Sequence, residues 1–123
     1  MKTLELAYDE EGDVLYVTFQ RTKKGHYQSL NDHMVVRFDP RLGEAVGLTL
    51  IDFSAMLPRA DGTTPQLVLD RLDELPPDRR ELVLSSLLRP PLSYWLEISS
   101  STATPVSASI SHPHAILDLL RAA

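Results

Sequence analysis

Four histidines, His26, His33, His112 and His114, are the best transition-metal ligands this chain offers besides its carboxylates, because it contains no cysteine. In the stretch SHPH, an extended backbone would project His112 and His114 to one side, and Asp32, next to His33, could complete a ligand set. The stretch reads better as a helix start, with Pro113 at the first helical position and Ser111 or His112 as the cap. That conformation separates the two rings and leaves a pair without a third ligand, so no metal and no cofactor is assigned.

A second candidate is the acid cluster DEEGD, Asp9 to Asp13. Counted as a helix-loop-helix calcium loop from Asp9, it sets Glu11 and Asp13 at the third and fifth positions. Val14 then falls where glycine is required and Gln20 where a bidentate acid is required, and the flanks alternate like strands. Asp and Gly tolerate left-handed backbone and bond their own amides, so the cluster is expected to be a hairpin turn.

Catalytic patterns are missing. There is no G-x-S-x-G elbow and no glycine beside any serine, so a hydrolytic triad has no support. The five glycines stand singly at 12, 25, 43, 47 and 62, which excludes a P-loop or a Rossmann turn. Asp70, Asp73 and Glu74 beside Arg71 read as the solvated side of a helix. Tyr94 and Trp95, next to Pro90 and Pro91, carry two readings: core, or the anchor of a partner surface, where both residue types are enriched.

The elements that must position these residues divide the chain near MLPRADGTTP, Met56 to Pro65. Residues 3–8, 14–20, 33–39 and 45–53 alternate as strands, the last two flanking a DPRLG turn, and together predict a four-stranded antiparallel meander over 1–57. In the second strand Leu15, Val17 and Phe19 oppose Val14, Tyr16 and Thr18, which marks it as a central strand.

Residues 58–123 predict helices after Pro65 (Val68, Leu72 and Leu75 on one face) and after Pro77 (Leu84, Leu87 and Leu88), both packed on one face of the sheet. Extended runs at 94–99 and 105–110 would lengthen the sheet, and PHAILDLLRAA is a last helix with Ile116, Leu117 and Leu120 inward. The fold class is therefore α+β in a single domain of 123 residues, with two or three helices on one face.

A chain of this length buries roughly two-thirds of the surface its unfolded form exposes, so it holds a core without staples. Twelve basic against 17 acidic residues give a net charge of −5, with the bases scattered apart from RTKKG. A nucleic-acid partner needs a basic stripe, and this chain has none. No apolar run approaches the roughly 18 residues of a membrane span, and the acidic N-terminal stretch is no export signal. A soluble protein of a reducing cytoplasm is expected.

YDEEGDVLYV followed by NDHMVVRFDPRLGEAVGLTLIDFS resembles the small prokaryotic family of unknown function DUF2283, over about residues 4–57. Tyr8, Asp9, Asp13, Leu15 and Tyr16 match its opening. Asp32, Asp39, Gly43, Val46, Gly47, Leu48 and Asp52 match its later part. One departure is Thr49, where the family carries a glutamate. The resemblance implies a small β-rich fold, no established activity and, for some members, a place as the smaller partner in toxin–antitoxin-like pairs. The expectation is a non-enzymatic protein-binding or regulatory module, an antitoxin-like partner of a basic protein, working as a homo-oligomer. The rival reading is a metal-dependent enzyme or metal-binding protein using the histidines; a third is a purely structural homo-oligomer.

Overall fold

The computed structural model describes residues 2–22, 25–39, 43–100 and 105–122. Lys23, Lys24 and the centre of the DPRLG turn lie outside them. The chain is α+β, with antiparallel sheets and two α-helices among the described residues.

The first sheet holds β1 (Lys2–Asp9), β2 (Val14–Gln20), β3 (His26–Ser29), β4 (Met34–Asp39) and β5 (Glu44–Ile51). Its order is β1-β2-β5-β4-β3, which differs from the expected four-stranded meander in two ways. β5 sits between β2 and β4, and HYQS forms a fifth strand on the far edge. That strand lacks an alternating apolar pattern, having two exposed and two half-buried residues, so only its pairing with β4 identifies it.

Alternation sets the sheet's two faces. Leu15, Val17 and Phe19 of β2, Met34, Val36 and Phe38 of β4, and Leu48 and Leu50 of β5 are buried in one core. Val14, Tyr16, Thr18, Val35, Arg37 and Thr49 point the other way and stay partly or largely exposed. β2 is interior, as its two-sided pattern predicts.

The extended runs of the second half build a sheet of their own, β6 (Leu67–Val68), β7 (Leu96–Ser99) and β8 (Ser107–Ile110), ordered β6-β8-β7, instead of lengthening the first. The helix expected after Pro65 is replaced by β6 and a 3-10 turn at Asp70–Glu74. Its ten residues between Pro65 and Pro76 are too few to offset helix nucleation, and pairing with β8 captures Leu67 and Val68 instead. Val68 is consequently exposed, while Leu72 is buried as expected.

α1 (Pro77–Leu87) starts at the predicted proline. Its buried stripe is Val83, Ser86 and Leu87; Leu88 lies past the last helical turn and is exposed. α2 (Pro113–Ala122) buries Ile116 and packs Leu120 against the core.

Asn31 and Leu30 join the two sheets. The buried Asn31 accepts the amides of His33 and Met34 through Oδ1 at 2.8 Å and donates Nδ2 to the Val68 carbonyl at 3.0 Å. The Arg71 amide donates to the Leu30 carbonyl at 3.1 Å. These bonds satisfy buried polar groups that hydrophobic packing alone would leave unpaired.

Candidate functional site

β5 carries a polar cluster at each end. Beyond its C-terminal end lie Asp13, Ser54, Asp52 and His33. Asp13 closes the β1–β2 hairpin in a left-handed conformation (φ 54°), and the amide of Gly12 donates to Asp9 Oδ1 at 3.2 Å. DEEGD is therefore a hairpin turn, as expected.

The Asp13 carboxylate does more than turn the chain. It accepts Tyr8 Oη at 2.7 Å, the Ser54 amide at 3.1 Å and the Ser54 hydroxyl, while its carbonyl accepts the Phe53 amide at 3.0 Å. The Ser54 hydroxyl, followed by the Tyr8 hydroxyl, holds this carboxyl below its ordinary range. The hydrogen bond to Asp13, with smaller contributions from desolvation and nearby carboxylates, raises the Tyr8 phenol. The Tyr8 ring meets Phe53 edge-on, with centroids 5.9 Å apart.

His33 Nδ1 is shielded from solvent and lies 3.0 Å from Asp52 Oδ2, outside the alignment of a hydrogen bond, so the contact is an ion pair only when the ring is protonated.

The other sequence candidates are dispersed. Asp32, adjacent to His33, pairs with Arg71 instead. His26 stands exposed on β3 and borders a cleft of about 80 Å³ with Asp39 and Arg79. His112 takes a left-handed conformation (φ 53°) just before α2, and His114 is exposed on that helix, so the extended SHPH geometry is replaced by the helix start. Among the described residues no three His, Asp or Glu side chains are placed to hold a metal ion.

At the N-terminal end of β5 the arrangement is open. A groove of about 790 Å³ runs between the first sheet and the segment from the end of α1 to Trp95, bordered by Leu4, Phe19, Glu44, Arg89, the prolines 90 and 91, Tyr94 and Trp95. Trp95 is 6% exposed and packs against Phe19 with ring centroids 6.4 Å apart, which makes it the floor. Tyr94, in a 3-10 turn over Leu92–Tyr94, is 64% exposed and forms the rim. The two adjacent aromatics thus split between core and surface because the chain turns through them instead of running extended.

Two charged groups face the groove. Glu44 accepts Gln20 Nε2 at 3.0 Å, and Arg89 donates to the Gly43 carbonyl at 3.1 Å. Both partners are neutral, and neither charge belongs to an ion pair among the described residues, so each retains bonding capacity toward a ligand. The size is that of a ligand or side-chain pocket. Sequence reasoning singled out Tyr94 and Trp95 but missed Phe19, Glu44 and Arg89, which only the fold brings beside them.

No family model matches the chain, and neither a curated protein nor a solved structure matches it. No helix among the described residues is long and apolar enough to cross a membrane.

Proposed function

We propose that the chain is a non-enzymatic protein-binding module whose groove takes an apolar, basic segment of a partner protein. The observation that carries this reading is the groove itself, an aromatic floor and rim with the Glu44 carboxylate, which accepts only from the neutral Gln20 amide among the described residues, at one end. Proline and aromatic walls suit an extended peptide side chain, and an exposed Tyr beside a buried Trp is the composition of a binding hot spot. The net charge of −5 favours a basic partner, since complementary charge speeds encounter and suppresses wrong ones. An antitoxin-like role opposite a basic protein is the more specific form, supported by the resemblance to DUF2283 together with that charge.

The test uses immobilised peptides that share one apolar, proline-containing core and carry either Lys and Arg or Asp and Glu flanks. The basic set should be retained, less so as salt rises. Tyr94→Ala should lower retention of the basic set, and Glu44→Gln should narrow its advantage over the acidic one. Equal retention of both sets, or retention indifferent to both substitutions, would overturn the reading.

A further inference from the structure

β1 and β3 are the edges of the first sheet. β3 is blunted by its four-residue length, whereas β1 runs for eight residues and shows Leu4 (55% exposed) and Tyr8 (37% exposed) along its inner side. A long edge with apolar side chains is a template for another strand. We propose that a second copy of this chain pairs with it, β1 against β1, antiparallel about a twofold axis through Leu6, to make one ten-stranded sheet.

The match of β1 to its own antiparallel copy argues for a second copy as the occupant, and charge selects the register. Twofold pairing that keeps the inner faces continuous must set inner residues opposite inner residues, so the axis passes through a residue of β1. Leu4, Leu6 and Tyr8 share the inner face, since Leu4 borders the groove, Leu6 packs on the core and Tyr8 meets Phe53. Glu5 and Ala7 lie opposite Thr18 and Tyr16 on the outer face.

An axis through Glu5 would set it against Glu5 of the partner subunit. An axis through Ala7 would set Glu5 against Asp9 of the partner subunit and Leu4 against Glu10 of the partner subunit. Through Leu6, Leu4 meets Tyr8 of the partner subunit, Leu6 meets its own copy, and Glu5 meets Ala7 of the partner subunit. This register opposes no two carboxylates and covers both exposed apolar side chains. It also brings Tyr8 of the partner subunit beside Leu4, at the border of the groove. The irregular pairing of β1 with β2 between Lys2 and Glu5 lies at the outer limit of this five-residue contact.

Light scattering and sedimentation across the micromolar range test the pairing with every polar and aromatic groove residue intact, so its failure is separable from failure of the peptide-binding reading. The full chain should reach twice its 13.8 kDa mass. Ala7→Glu places a carboxylate opposite Glu5 at both ends of the twofold and should raise the dimer dissociation constant about tenfold. Adding Glu5→Lys to that variant should restore it. Hydrogen exchange of the unmodified chain should show outward β1 amides protected when concentrated and open on dilution, a readout that needs no variant to fold. A monomer throughout, an Ala7→Glu variant that pairs as tightly as the parent, or no recovery in the double variant would overturn the proposal.

Discussion

The two ends of β5 are built from similar residue types and arranged for opposite ends. At the Asp52 end, carboxylate, hydroxyls and backbone amides bond one another: Asp13 alone gathers Tyr8 and Ser54. At the Glu44 end, about 24 Å away along a strand rising ~3.4 Å per residue, the charged groups lean on neutral neighbours beside an open aromatic groove. The difference teaches which polar cluster to read as structure and which as a site. Groups that satisfy each other inside the fold have little left for a ligand, and groups with spare donors and acceptors beside an apolar wall do.

The largest expected effect separates floor from rim at the open end. Trp95→Ala should destabilise the fold by about 3–5 kcal/mol, because its ring is core as well as groove wall. Urea unfolding measures this, and a change below about 1 kcal/mol would mean that the floor is a site with no structural part, breaking the contrast.

At the closed end, Asp13→Ala should cost about 1–2 kcal/mol through the lost hydroxyl and amide bonds and the left-handed position, which Ala tolerates less well than Asp. The acid limb sharpens the test. Because the folded carboxyl titrates below its ordinary value of 3.8, its contribution is complete above that value and is lost as pH falls through the folded one. The parent should therefore lose stability in that acid window more steeply than Asp13→Asn. Parallel acid limbs in thermal melts would remove the network from the account.

The smallest effect is at the rim: Tyr94→Ala should leave stability within about 0.5 kcal/mol while it lowers peptide retention. A substantial destabilisation instead would show the rim to be structural, and the two ends of β5 would no longer differ in kind.

Much of this was legible from residue order. Period-two alternation at Leu15, Val17 and Phe19 identified an interior strand and its buried face, and Pro77 and Pro113 marked both helix starts. Strand order was not legible, because which strand lies beside β2 is decided by packing between residues some thirty positions apart, such as Val17 and Leu48. The 65–75 segment has helical spacing, yet two flanking prolines and an available partner strand overrode it. Of the candidate site, the aromatic pair was visible as a local cluster. Its charged companions were not, since Glu44 and Arg89 stand far apart in the chain until α1 packs against β5 through Ser86 and the Gly43 carbonyl at 3.2 Å. Ser54 was likewise invisible as a partner for Asp13, from which it is 41 residues distant.

The central place of β5 also orders the making of the molecule. β1 with β2, and β3 with β4 and β5, are neighbours along the chain and can pair through short loops, whereas β2 meets β5 only after the intervening chain has closed on itself. Loop closure of that kind is what slows the folding of sheet proteins. Loop closure therefore predicts that the seam where Leu15, Tyr16 and Val17 face Leu50, Thr49 and Leu48 forms last in the first sheet. Until it zips, two separate ribbons stand with their future core faces open to water, and speed of assembly along this one line sets how long they remain vulnerable to aggregation.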